Sequence, residues 1–438
     1  MTRGKMRLKT SYGPELELLL VNKNDGSVDC DADRILKTVE NPFVYKEFVS
    51  NWIEVGAQHS PDLEVMARSL VGNLRYVVDS SAPHGVIPLP VGTSVSNDFP
   101  SSRRDKSPSA TKKIRSSILS DGWGYVEHCL GLHCHVDAGH SPGKVLKQMQ
   151  LITGLDLLTT VTASMPFFYG THNGNDPRTL FYRKCLTPAA SGVKALNPYP
   201  TSIKGFEEDL QRLYETMTML ANRKGLPHDE RIADSMYRNI SGPIRRVIED
   251  GGRNTIEHRA ADSTLPSYAM AYFALLKTFN EYVLRDDVQV RIDGELDNSY
   301  TIDPQGRLVL PRFGLLKKLE PVKAKRGMGS PEIAKWVGNM YETALGLIDP
   351  VDEKYLGPVQ GMVEDRRNLS DLIAYTAKSN GMLDGRELRE GAEKDLRLAY
   401  GQELMRDLDL MERRLSQRTK SEYGPIPQDD KVYSRVRP

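Results

Sequence analysis

Apolar residues recur along this chain with two periods. Side chains alternate between faces in a strand and return to one face every turn of a helix, so each period names an element. Residues 14 to 22 (PELELLLVN) alternate and then run apolar as far as Lys23-Asn24-Asp25-Gly26, which predicts a strand and a hairpin turn. Asn51 to Ala57 (NWIEVGA) predicts a second strand, and Ser60-Pro61-Asp62 opens a helix over 62 to 82. HGVIPLPVGT reads as a strand. Further strands are expected over 125 to 137 (YVEHCLGLHCHVD) and 253 to 260 (RNTIEHRA), with a hairpin around 298 to 311. Helices are expected from Ser141 to about 164, over about 203 to 224 and over 265 to 284. From 331 to about 416 the period is mostly helical, with Gly and Pro interruptions at 346 to 361 and 379 to 386. Residues 417 to 438 are polar and proline-punctuated, the composition of a flexible tail. Strands and helices without strict alternation predict an α+β fold over 1 to 416, as one large domain or two.

Three of the expected strands carry polar groups two residues apart: Glu15 and Glu17, His133 and His135, Glu257 and Arg259. Each pair therefore shares a sheet face. Burying such groups among leucines and valines costs several kcal/mol per ion unless a metal or a charged ligand compensates them. Two glutamates on one face offer the hard oxygen donors that magnesium takes, and an edge facing solvent is the alternative. Two histidines at this spacing suit zinc, or simply a hydrogen-bonded core; Asp137, on the same face at the strand end, is a weak third donor. Glu257 and Arg259 form either an exposed ion pair or a metal-binding carboxylate beside a phosphate-binding guanidinium. Arg238, Arg245, Arg246 and Arg253 precede them, some as surface charges.

Composition narrows the ligand. Lys plus Arg number 59 against 58 for Asp plus Glu, so there is no general attraction to nucleic acid or acidic membranes and any anion site must be local. No apolar run reaches the roughly 18 to 20 residues that cross a bilayer. Cys30, Cys129, Cys134 and Cys185 lack paired spacing, and the first residues lack an apolar signal core, which fits a reducing cytoplasm. Residues 100 to 116 (PSSRRDKSPSATKKIRS) are basic, Ser-rich and almost without apolar anchors; they are expected to form a mobile loop, either a lid over a phosphate-bearing ligand or a solvated surface loop.

In order, Gly13-Pro14-Glu15-Leu16-Glu17, Gly131-Leu132-His133-Cys134-His135 and Ile256-Glu257-His258-Arg259 resemble the three motif strands of the glutamine synthetase and glutamate-cysteine ligase superfamily. Within it the chain is similar to the bacterial carboxylate-amine ligases of glutamate-cysteine ligase family 2. Glu54, the 62 to 82 helix, Leu89-Pro90-Val91-Gly92-Thr93 and Ser164-Met165-Pro166-Phe167 resemble that group's segments, so the likeness spans residues 13 to about 265. Asn22 replaces the usual acidic residue after the first strand, and the basic loop resembles an insertion.

The resemblance implies a glutamine-synthetase-like catalytic fold, with a curved, mainly antiparallel sheet forming a funnel-shaped active site flanked by helices. It implies an ATP-dependent ligase that joins a small carboxylate, glutamate first, to an amine through an acyl phosphate, with Mg2+ or Mn2+ as cofactor. The enzyme is expected to be a homo-oligomer without nucleic-acid or membrane partners. Carried over by position, Glu15, Glu17, Glu47, Glu54, His133 and Glu257 would be metal ligands, and Arg259 and Glu54 catalytic. His135 and Arg259 would bind substrate, and Arg238, Arg245 and Arg253 the nucleotide. Two other readings stand beside this: a zinc-dependent amide hydrolase built on His133 and His135, and a catalytically silent nucleotide-binding relative.

Overall fold

A computed structural model of the chain describes residues 10–28, 30–47, 49–95, 128–184, 196–223, 225, 244–248 and 254–416. Its first half contains strands β1 (Tyr12–Asn22), β2 (Val44–Lys46), β3 (Trp52–Gly56), β4 (Val86–Leu89) and β5 (Gly131–Asp137), with helices α1 (Ala32–Leu36) and α2 (Leu63–Ser81) between them. Next come α3 (Pro142–Gly154), α4 (Thr159–Thr162), the short strands β6 (Phe167–Phe168) and β7 (Thr171–His172), α5 (Pro177–Lys184), α6 (Ile203–Arg223), β8 (Ile244–Ile248) and β9 (Asn254–Asp262). All of these strands but β6 and β7 build an antiparallel sheet in the order β2-β3-β1-β5-β9-β8, with β4 also paired to β1.

The leucines explain why β1 lies at the centre. Leu16, Leu18 and Leu20 point to one face and are fully buried, while Glu15 and Glu17 point to the other. Helix α7 (Pro266–Val283) covers the leucine face and is buried along almost its whole length. It is tied to the sheet by polar contacts. Asn280 donates to the Tyr12 hydroxyl at 2.8 Å, and the Tyr272 hydroxyl lies 2.5 Å from Nδ1 of His258.

Strands β10 (Val290–Gly294), β11 (Thr301–Ile302) and β12 (Leu308–Pro311) form a small second sheet that includes the expected hairpin. Helices α8 (Phe313–Arg326), α9 (Pro331–Leu345), α10 (Gly357–Asp365), α11 (Leu369–Ser379) and α12 (Ala392–Ser416) follow, and the hairpin β13 (Leu383–Asp384) and β14 (Glu387–Leu388) occupies the second interruption. One hydrophobic cluster runs from Tyr12 to Leu415. Among the described residues no helix is long and apolar enough to cross a membrane.

Two local expectations change. The turn after β1 forms, with Gly26 at φ +71°, but no hairpin strand follows. Arg397 donates to the Gly26 carbonyl at 2.9 Å, the chain enters α1 instead, and β1 takes β3 as its neighbour. The helix expected to run to about 164 breaks after Gly154 into a 3-10 turn and α4. The break presents Asp156 to Arg183 and Lys323. Among the described residues, Cys30, Cys129 and Cys134 form no disulfide. Cys185, the 100 to 116 loop and the tail lie outside the described residues.

Asp156, Arg183 and Lys323 form a buried ionic network that ties this break to α5 and α8. Arg183 donates to both Asp156 oxygens and to Glu320, and Lys323 donates to Asp156 at 3.1 Å and to the Thr159 hydroxyl. Burial alone would raise the Asp156 carboxyl, but the two cations hold it far below the usual range. Removing one member strands the others. We expect Asp156→Ala to lower unfolding free energy by about 3 to 5 kcal/mol in urea melts; a loss under about 1 kcal/mol would show that the network contributes little.

Candidate active site

The strand register assembles the site. On the carboxylate face, Glu17 lies opposite Glu54, Glu15 lies between Gly56 and His133, and His135 lies between Gly13 and Glu257, with Arg245 beyond. Side chains opposite one another in an antiparallel pair stand roughly 4.5 to 5.5 Å apart at Cβ, so these rows form a continuous patch. A bulge in β9 completes it. Leu132 pairs with Ala261 but Cys134 with His258, so Arg259 and Ala260 share one place in the ladder opposite His133.

Three overlapping groups of donor atoms result: Glu15, His135 and Glu257; Glu15, Glu54 and His133; and Glu17, Glu47 and Glu54. Within each, the donor atoms lie within 4.8 Å of one another. His133 Nδ1 is 3.7 Å from Glu15 and 3.9 Å from Glu54, and its Nε2 is 4.0 Å from Glu17. His135 Nε2 is 3.4 Å from Glu15 and 3.9 Å from Glu257. These gaps exceed hydrogen-bond length and suit donors converging on a small cation. Thr255 Oγ1 lies 3.1 Å from His135 Nδ1, which leaves Nε2 to face the carboxylates. The donor chemistry, mostly carboxylate oxygen with two imidazoles, fits Mg2+ or Mn2+.

Charge is distributed unevenly across the patch. Burial and then the neighbouring Glu47 push the Glu17 carboxyl up to about 8, although Gly131 N–H, 2.5 Å from its Oε2, and the Arg178 and Arg259 charges pull it back. Burial, followed by the charges of Glu15, Glu47 and Glu17, raises Glu54 well above the usual range. Glu257 goes the other way. Burial would raise it, but Arg259 and Arg245, both ion-paired to it, hold it at about 2. Burial would also raise Glu15, yet the neighbouring His133 and His135 rings keep it well below. His133 is held down to about 4 by burial and by the Arg259 charge. His135 is raised, its contact with Glu15 outweighing burial.

Most of the expected site residues converge here, including Glu47, which follows β2. Asp137 does not. It accepts from the backbone N–H of Ser11 at 3.2 Å, pinning the strand end. Arg246 turns away from Glu257 and pairs with Glu207 on α6. Arg238 and Arg253 lie outside the described residues. Arg178 was not expected: its guanidinium donates to the bulge carbonyls of Ala260 at 2.6 Å and Arg259 at 3.0 Å, and packs where a Cβ on Gly131 would stand. Its segment, NDPRTL, carries no spacing signal that would have singled it out.

No protein-family model and no curated protein sequence matches the chain. Solved structures do. A bifunctional glutathione synthetase from Pasteurella multocida aligns over 91% of the chain at a TM-score of 0.57 and 12% identity; the chain spans about half of it, 52%. The glutamate-cysteine ligase from Francisella tularensis, solved in complex with AMP, aligns over 94% of both chains at a TM-score of 0.55 and 12% identity. The chain thus shares the fold of these two ligases.

The raised carboxyls have a consequence for cation binding. Below its pKa, a cation must displace the Glu17 proton, so affinity falls as pH falls through about 8. We expect the rise in Tm on adding Mg2+ to be small near about pH 6 and to grow to about pH 9. A rise independent of pH would contradict these protonation states.

Proposed function

We propose that the chain is an ATP- and Mg2+-dependent carboxylate-amine ligase, with glutamate as the first carboxylate to consider and a γ-glutamyl amide as product. What supports this is the continuous patch of three donor groups flanked by Arg245 and Arg259, on a fold shared with a ligase solved with AMP. A free carboxylate resists amines, because attack would have to expel an oxide from an already anionic group. Transfer of the γ-phosphoryl group to a carboxylate oxygen, with ADP leaving, turns that oxide into phosphate.

Magnesium in these groups would neutralise the triphosphate and align its terminal phosphorus with the attacking oxygen. The protein's own groups do the rest. Arg259 and Arg245, now held by Glu257, are placed to take phosphoryl oxygens as charge develops there. The amine then attacks the acyl carbon, phosphate departs, and the ammonium proton passes to a carboxylate of the patch, a role we assign to Glu54 once cation binding has displaced its own proton. His133 and His135 enter different donor groups, each with two carboxylates, whereas a zinc hydrolase would gather both imidazoles on one ion.

The test is phosphate release from ATP over a panel of amino acids and amines, beginning with glutamate. We expect Glu15→Gln and Glu257→Gln each to lose at least about a hundred-fold in Mg2+-dependent amide formation with the fold intact by circular dichroism. Full activity in either variant would sink the assignment of the metal groups. Nucleotide binding without turnover by the unaltered protein would favour the silent relative.

A further inference from the structure

Two rings stand over two glycines beside Glu15. A Cβ on Gly13 would lie 2.0 Å from Nε2 of His59, and a Cβ on Gly56 would lie 3.3 Å from Cε2 of Tyr45. Both glycines belong to the carboxylate face: Gly13 precedes Glu15 by two residues on β1, and Gly56 is the cross-strand partner of Glu15 on β3. Tyr45 pairs with Glu54 from the edge strand β2, so its ring is on that face too, 43% exposed. The His59 ring centroid is 6.1 Å from that of His135, and Nδ1 of His59 is buried with no hydrogen-bond partner among the described residues.

We propose that Tyr45 and His59 form the wall against which the base of the nucleotide stacks. This rests on the ligase reading and extends it to two residues outside the donor groups. Diagonal neighbours across an antiparallel pair lie roughly 7 to 8 Å apart, so rings over Gly13 and Gly56 leave room for one planar ring system against both. Neither position supplies a carboxylate or guanidinium, so the wall suits an uncharged, flat group. It borders Glu15, which belongs to two of the three donor groups, so a base held here is joined to a triphosphate at the cations. The glycines are required for this. A side chain on Gly13 would expel the His59 ring, and one on Gly56 would press on Tyr45.

Two probes separate a base contact from general damage: the magnesium complex of the non-hydrolysable imido analogue of ATP, and magnesium tripolyphosphate, which has no base. Binding of each to the full-length protein is measured calorimetrically. Tyr45→Ala and His59→Ala should each weaken the nucleotide analogue roughly five- to hundred-fold, Tyr45→Phe should bind like the unaltered protein, and tripolyphosphate should bind all of them alike. Equal losses for both probes would mean a structural role and overturn the wall, as would unchanged nucleotide affinity. If His59→Ala fails to fold, exposed Tyr45 decides the outcome. Tripolyphosphate binding as tightly as the nucleotide analogue to the unaltered protein would remove the wall alone; binding of neither would remove the ligase reading with it.

Discussion

The register of β1 between β3 and β5 is the constraint on which the rest of this structure depends, because side chains alternate faces and a slip of one residue would turn Glu15 and Glu17 into the core. The register is fixed from behind. Leu16, Leu18 and Leu20 are fully buried under the helical layer, each contributing roughly 1.5 to 3 kcal/mol relative to exposure. That apolar face holds the sheet together while the opposite face gathers carboxylates that repel one another. The charged patch is thus a consequence of packing elsewhere, and it is stabilised at its margin by Arg245 and Arg259.

Those arginines give the face a polarity. At the β8–β9 side they hold Glu257 down at about 2 against burial, while at the β2–β3 side burial, and after it the crowding of neighbouring carboxylates, pushes Glu17 up to about 8 and Glu54 well above the usual range. Carboxylates of one chemical type therefore hold opposite protonation states a few ångströms apart, set by burial and neighbours. The bulge in β9 is part of the same arrangement. Without it Arg259 would have a different place in the ladder, and Arg178, buried on α5, anchors the two carbonyls that the bulge frees from strand pairing.

Twelve per cent identity to the aligned ligases coexists with shared architecture over more than nine-tenths of the chain. Such a fold depends on where apolar residues recur and on a few polar positions, and both tolerate wide substitution. The same tolerance explains which site residues were legible. Glu15, Glu17, His133, Glu257 and Arg259 stand at strand spacing inside apolar runs, where a charge is conspicuous. Arg178, His59 and Tyr45 reach the same face from a helix, a loop and an edge strand, and nothing in their own segments signals it.

The sequence by itself determined the main strands and helices, the α+β class and the pairs of polar groups that must share a face, because these follow from periodicity within a single segment. It did not determine that Lys23 to Gly26 would lead into a helix, that the helix after Pro142 would break at Gly154, that Asp137 would be tied to Ser11 at the strand end, or that Arg246 would turn to Glu207. Those outcomes were decided by partners distant along the chain: Arg397 on Gly26, Lys323 on Asp156, Ser11 on Asp137, Glu207 on Arg246. Spacing fixes which side chains leave a strand together, and only tertiary packing decides what they meet.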